Sequence, residues 1–459
     1  MNFRKTFFLL GVIILSMGTG LSQQVTELTL KSAIQNALKN NVTIIKLQNS
    51  IDAQNFNIKA KYGSLLPSLN LSGGWTRTNQ VLTGNALSQY LGQAGTGTNL
   101  DIGNQSLSQT NNNYNLGLSA DLTIFNGFVN YSSVTAARLT EQNLMLQLEQ
   151  AKQDLILKVI NDYITVLSNQ QIVKINSASL EDSRAQLDMI KQFVEVGNKT
   201  LSDVYKQDAI VAQNELAVEQ SKNNVDKSIE DLVFDISLPQ DKTYSVSPAG
   251  FNPDLQLADL QKYVDQNSNV DQLIQNGLNN RYDYKSSLKN LDILQTNIDI
   301  ARNSEIYPTI SGFSSYNLSG INIGSMSNTK VFTLGINLTY PIFEGFQLDN
   351  VRQQAEVTYR SANEDVSQLE RQIDVNIKKA ILDLKSLVKQ VEITERGIKS
   401  SEQDKLMAEE SYRVGLVTLL DVQTATTTYN NALITKSNLI FNFQFSQKQL
   451  EYFQGLIKY

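Results

Sequence analysis

Two stretches decide how this chain is read. Residues 193–204 run Phe193-Val194-Glu195-Val196-Gly197-Asn198-Lys199-Thr200-Leu201-Ser202-Asp203-Val204, and residues 412–422 run Tyr412-Arg413-Val414-Gly415-Leu416-Val417-Thr418-Leu419-Leu420-Asp421-Val422. Val-Gly, then Thr-Leu, then Asp-Val recur at an offset of 218 residues. The same offset relates Phe125-Asn126-Gly127-Phe128 to Phe343-Glu344-Gly345-Phe346. Nearer the start, IQNALKNNVTI (34–44) matches IQNGLNNRYDY (274–284) at 240, and Leu66-Pro67-Ser68-Leu69 matches Tyr307-Pro308-Thr309-Ile310 at 241. Four matches in one order indicate a chain written twice. The drop in offset, about 23 residues, predicts a longer loop in the first copy.

Within each copy one segment alternates. Tyr114, Leu116, Leu118, Ala120, Leu122 and Ile124 are interleaved with polar residues, and so are Phe332, Leu334, Ile336, Leu338, Tyr340 and Ile342. This is the pattern of a strand with one apolar face, about ten residues long and able to cross a bilayer when tilted. Weaker partner strands are expected near 67–77 and 308–318. The intervening loops are rich in Gly, Asn, Ser, Thr and Gln, and from Asn79 to Ala120 the single charged residue is Asp101. They read as surface loops or as a small disordered insert. Four strands cannot close a membrane barrel alone. They either face water in a sandwich or are pooled by several chains. Trp75, on the weaker strand, reads equally as an interface anchor or as a core residue.

The remainder is helical. Proline is absent from 68–238 and after 341, which leaves room for long helices. Ile373, Ile377, Ala380, Leu384, Leu387, Val391, Thr394 and Ile398 trace a near-heptad seam. A rougher one runs through Leu144, Leu148, Ala151, Leu155, Val159, Tyr163 and Val166. Each long helix begins after Gly127 or Gly345 and must reverse at Gly197 or Gly415. Thr200 and Thr418 are placed to cap the returning helices, with Asp203 and Asp421 in their first turns. The division expected is 1–22 signal peptide, 23–240 first repeat, 241–270 crossover, and 271–459 second repeat with a C-terminal segment after Phe441 that packs as a belt.

Residues 1–22 combine Arg4-Lys5 with the short apolar core FFLLGVIIL, too short to span a membrane, and small residues before Gln23. The 459 residues hold 39 Lys+Arg, 45 Asp+Glu and neither Cys nor His. That removes disulfides, thiol nucleophiles, His-based triads and Cys/His metal sites, and the net charge of -6 does not suit a nucleic-acid binder. Lys and Asp elsewhere form no catalytic constellation; Glu409-Glu410 and Glu370-Arg371 read as solvated helix faces or local ion pairs. No cofactor is expected.

The ordered set of duplicated motifs resembles the TolC family of trimeric outer-membrane efflux ducts over nearly the whole chain. The resemblance implies a mixed fold: a membrane β-barrel of twelve strands shared by a homotrimer, four from each protomer, continuing into a long α-helical coiled-coil barrel in the periplasm. It implies passive export of small solutes from an inner-membrane transporter, proton-driven or ATP-driven, through a periplasmic adaptor of the membrane-fusion type. The alternatives are a type I protein-secretion channel and a secreted coiled-coil structural protein. Docking would fall on Val196, Gly197, Thr200, Val414, Gly415, Leu416 and Thr418. The gate would fall on Asp421 and Asp203, with Lys199 as a local partner of Asp203. Val417 stands where such ducts carry a basic residue, and Thr424 where they carry a second acid, so the closed state is expected to be held differently here.

Overall fold

The computed structural model describes residues 26–83, 86, 89 and 106–457. The expected signal peptide and most of residues 84–105 lie outside the described residues. In order, the elements are β1 (Thr26–Leu28), α1 (Leu30–Asn40), α2 (Val42–Gly63), β2 (Ser68–Thr83), β3 (Ser106–Phe125), α3 (Val129–Glu195) and α4 (Leu201–Asp235). Then come β4 (Tyr244–Val246), α5 (Leu257–Gln266), α6 (Val270–Asn280), α7 (Tyr282–Ile306), β5 (Thr309–Gly320), β6 (Thr329–Thr339), α8 (Gln347–Arg413) and α9 (Leu419–Phe453). The long helices of the two halves are equal, 67 residues for α3 and α8 and 35 for α4 and α9.

The chain forms two compact units. One comprises Lys46–Gln150 and Arg281–Gln372, the other Met1–Ile45, Ala151–Asn280 and Ile373–Tyr459. Each therefore takes segments from both halves.

The first unit contains a four-stranded antiparallel sheet in the order β2-β3-β5-β6. Its register sorts the side chains. Leu71, Leu118, Tyr316 and Phe332 stand side by side across all four strands, and the next row on that face holds Leu69, Ala120, Ser314 and Leu334. The opposite face carries Asn70, Ser119, Ser315 and Thr333, then Ser72, Gly117, Asn317 and Val331. The large apolar residues of the first face are exposed, Leu71 at 73%, Leu334 at 73% and Ile336 at 74%. Trp75, on the same face beside Tyr114, is exposed as well, so its reading as a core residue falls. Residue period 2 produces this segregation.

Strand lengths depart from expectation. β2 and β3 run through Thr83 and from Ser106, so part of the extra length of the first half is strand rather than loop. β6 stops at Thr339, short of Ile342, because Pro341 has no N–H for a ladder.

Both strand-to-helix turns are left-handed. Gly127 and Phe128 have φ of 64° and 65°, and Gly345 and Phe346 have 61° and 65°. In the first half the turn is crowded: a Cβ on Gly127 would lie 2.8 Å from Tyr307 Cβ and 2.9 Å from the Asn303 carbonyl. At Gly345 nothing lies within 4 Å.

In the second unit the seams are buried in part: Ala151, Leu387, Thr394 and Ile398 are only half-buried, and Leu144 and Leu148, also half-buried, belong to the first unit. Ile373, Ile377, Ala380, Leu384 and Val391 of α8, and Leu155, Val159, Tyr163 and Val166 of α3, are core residues. The α3 stripe also takes in Ile156, Ile160, Ile164 and Leu167, so it is wider than a heptad seam. The crossover holds more structure than the sequence suggests. β4 pairs with β1 in parallel, Glu27 opposite Ser245, and the fully buried Tyr163 places its hydroxyl between the carbonyl oxygens of Leu28 and Ser247. The segment after Phe441, expected to pack as a belt, is helical for most of its length. It continues α9 to Phe453 with Phe441, Phe443 and Leu450 buried, which keeps the helical apolar stripe in register, and Gly455 at φ 68° ends it.

Candidate functional site at the two helix turns

The loops 196–200 and 414–418 have one backbone design. The N–H of Asn198 donates to the Phe193 carbonyl at 2.8 Å and that of Gly197 to Val194 at 3.0 Å. In the second turn Leu416 donates to Ser411 at 2.8 Å and Gly415 to Tyr412 at 3.1 Å. This is the double bond pattern that closes a helix through a left-handed residue, and Gly197 and Gly415 occupy it at φ 79° and 84°.

The returning helices open with matched capping boxes. Thr200 Oγ1 accepts the Asp203 N–H at 3.3 Å while the Asp203 carboxylate receives the Thr200 N–H at 3.3 Å. Thr418 and Asp421 repeat this at 3.4 and 2.8 Å, and the Thr418 hydroxyl adds a bond to the carboxylate at 2.7 Å. The hydroxyl and N–H of Thr418 hold the Asp421 carboxyl below the ordinary carboxylate range. Asp421 is thus an exposed, ionised residue fixed at a helix start. Thr424, one turn on, is exposed and turns its hydroxyl to the Leu420 carbonyl at 2.9 Å.

Between the turns lies a small apolar core of Ile190, Tyr412, Leu419 and Val422, with Val204 and Val417 packed against it. Val417 has therefore joined the packing, consistent with its lack of charge. Tyr412 is 4% exposed, and burial, with Asp203 nearby, pushes its hydroxyl pKa up to about 12. Among the described residues that hydroxyl has no hydrogen-bond partner.

Lys199 corrects the expectation of a pairing with Asp203. Its ammonium donates to the carbonyl of Tyr412 at 2.8 Å and lies 3.8 Å from the centre of the Tyr412 ring. The Asp203 carboxylate is spent on its own capping box. Glu410 pairs locally with Arg413 at 2.8 Å and Glu409 lies 3.8 Å from Lys405 one turn earlier, but Glu409 also accepts from Gln186 of α3 at 3.0 Å, a contact between distant segments. The rim of the turns is apolar. Val196 (69% exposed), Val414 and Leu416 stand free, joined by Leu201, Tyr205 and Leu420, which the sequence reading passed over. Leu201 opens the first returning helix and is exposed, whereas in the second the opening Leu419 is buried and Leu420 beside it is exposed; apolar residues in the first turn of both helices were the available signal.

A second polar cluster, in the same unit, was also missed. Lys158 binds Asp235 at 2.6 Å, and Asp162, one turn along α3, lies beside that pair with one carboxylate oxygen buried and unpartnered. Burial, then hydrogen bonding and repulsion from Asp235, raises the Asp162 pKa from 3.8 to about 7. Among the described residues no group of three acidic residues is placed to hold a metal.

A model of the outer membrane efflux protein family matches residues 33–234 and 273–455, one stretch in each half. Outer membrane protein TolC of Salmonella enteritidis is 23% identical over 379 residues, 74% of either chain. The TolC of Vibrio cholerae is 21% identical over 454 residues, 95% of this chain and 92% of the other. The fold is similar to that of the Campylobacter jejuni CmeC outer membrane channel, with a TM-score of 0.73 at 17% identity over 93% of this chain and 85% of that one. It is also similar to the open state of the Neisseria gonorrhoeae MtrE outer membrane channel, with a TM-score of 0.70 at 16% identity over 93% and 89%. The protein with these paired helix turns belongs to the outer membrane efflux protein family: it is a TolC-like exit duct of the outer membrane and periplasm, a conduit and not an enzyme.

Proposed function

We propose that three copies of this chain close a twelve-stranded barrel and together form the passive exit duct of a tripartite pump for small solutes. The observation that carries this is the sheet: one face apolar and exposed, the other lined with Ser, Asn and Thr, and β2 and β6 each paired on one side only among the described residues. Lipid tolerates no open sheet edge, so β6 of one protomer would pair with β2 of the next. Tyr114 to Ile124 spans about 34 Å along the strand, or about 25 Å once tilted, the height of an outer-membrane apolar band. The equal helices and repeated turns favour an internal duplication as the origin of the two halves.

The apolar rim of Val196, Val414 and Leu416, with Gly197, Gly415, Thr200 and Thr418, is the surface offered to a periplasmic adaptor. An inner-membrane transporter, proton-driven or ATP-driven, would supply the energy. In the trimer, three Asp421 carboxylates would gather near the axis as an acidic ring, with Asp203 outside it, and like charges so placed favour cations. Thr424 adds no second acid.

Native mass spectrometry of detergent-solubilised protein tests the assembly. Three chains are expected, and a monodisperse monomer soluble without detergent would defeat the reading. For the gate, Asp421→Asn should lower cation selectivity and weaken block by a trivalent cation in a planar bilayer. Unchanged selectivity and block would leave Asp421 as a capping residue alone.

A further inference from the structure

Lys199 and Tyr412 are 213 residues apart and belong to different halves, yet a side-chain hydrogen bond joins them across the two turns. Tyr412 sits in the last turn of α8, and its carbonyl already receives the Gly415 N–H at 3.1 Å. The lysine adds a second donor at 2.8 Å, so its charge meets the negative end of a 67-residue helix. The same ammonium rests 3.8 Å from the centre of the aromatic ring, within the range of a cation–π contact. The ring itself is packed in one cluster with Ile190, Leu419 and Val422. Its hydroxyl takes no part, being buried without a partner among the described residues.

We infer that Lys199 is a positioning residue that clamps the first helix turn onto the second within each protomer and so resists opening of the tip. The inference rests on the gate reading above. If α8 and α9 shift against α3 and α4 to widen the Asp421 ring, the ammonium must leave both the Tyr412 carbonyl and the ring. Lys199 therefore works through the backbone end of α8 rather than through a carboxylate, and Val417 seals the joint by packing.

Three variants separate this from a merely exposed lysine. Lys199→Met keeps the length of the side chain and removes the charge. Lys199→Arg keeps a cation able to reach a carbonyl and lie on a ring. Tyr412→Phe keeps the ring and the carbonyl. Hydrogen exchange of the amides of residues 413–418 and single-channel conductance are read on the full-length protein in detergent and in planar bilayers. Lys199→Met should speed exchange by about thirtyfold or more, the scale of losing one charge-assisted bond together with one cation–π contact, and should enlarge the conductance step. Lys199→Arg and Tyr412→Phe should both track the parent. Parent-like exchange and conductance in Lys199→Met would overturn the clamp, as would a Tyr412→Phe that behaves like Lys199→Met. If the parent itself forms no channel, the duct reading fails, while the exchange measurement still decides whether the clamp exists.

Discussion

The two halves of the chain share a backbone and divide the chemistry. At the tips, the glycine closures and Thr–Asp capping boxes are superimposable in kind, bond for bond. The side chains between them differ: the first turn carries Lys199, which crosses to its neighbour, and the second carries Val417, which fills the joint. Farther along, Asp162 and Asp235 of the first half correspond at the 218-residue offset to Ala380 and Phe453 of the second. The helix ends repeat the theme, with Ser237 at φ 55° where the second half has Gly455 at 68°. Hydrogen bonds of the main chain keep turn geometry fixed, and side chains are free to specialise around it.

The strand-to-helix turns offer the sharpest break in this symmetry. Gly127 and Gly345 have the same left-handed φ, but only Gly127 is hemmed in by Tyr307 and Asn303. Gly345→Ala should cost about 1–2 kcal/mol from the backbone alone, and Gly127→Ala about 3 kcal/mol or more because a clash is added. Denaturant unfolding of the two variants measures the gap. Equal losses would mean that crowding within the chain does not distinguish the halves.

The acid cluster makes a smaller, pH-dependent difference. Because burial holds the Asp162 proton more tightly in the native state, the stabilisation is complete below the ordinary carboxylate value of 3.8 and is lost as pH rises through about 7. Lys158 opposes this shift without cancelling it. The melting-temperature advantage of Asp162→Asn over the parent should accordingly grow between pH 5 and pH 8. A difference that stays flat across that range would remove the cluster from the comparison. The smallest effect is expected at Ser237. Ser237→Gly should stabilise by up to about 1 kcal/mol, since glycine carries little penalty for a positive φ. A destabilised Ser237→Gly would show that the serine side chain contributes a contact worth more than the strain.

Much of this architecture was legible in the residues. Alternation between Tyr114 and Ile124 gave away β3, and missing prolines with equal spacings gave away α3 and α8, because periodicity and helix-breaking are local properties. Glycine and threonine at the turns were readable for the same reason. What escaped were arrangements made by distant residues. β1 and β4 are three residues each, too short to show a period, and they are joined by Tyr163 from another element. Lys199 looked like a partner for nearby Asp203, but Asp203 is occupied by its capping box and the folded chain brings the Tyr412 carbonyl within hydrogen-bond distance of the lysine. The mostly polar strand residues 79–83 and 106–113 read as loop because neither face of a strand end beyond the apolar band requires apolar side chains, and Val81, Leu82 and Leu107 are too few to show a period.

The central pairing of the sheet has a consequence for how the protein is made. Leu118 of β3 lies beside Tyr316 of β5, nearly two hundred residues downstream. The hairpins β2–β3 and β5–β6 are local and close within microseconds once their strands are available. Their union must wait until most of the chain has emerged, and non-local contacts of this kind set slow folding rates. During that interval a finished first hairpin presents an apolar face and an unpaired edge to other nascent copies. Such intermediates are the species that aggregate, so a chain of this design places its demand for escort by chaperones on the time between its two hairpins rather than on its helices.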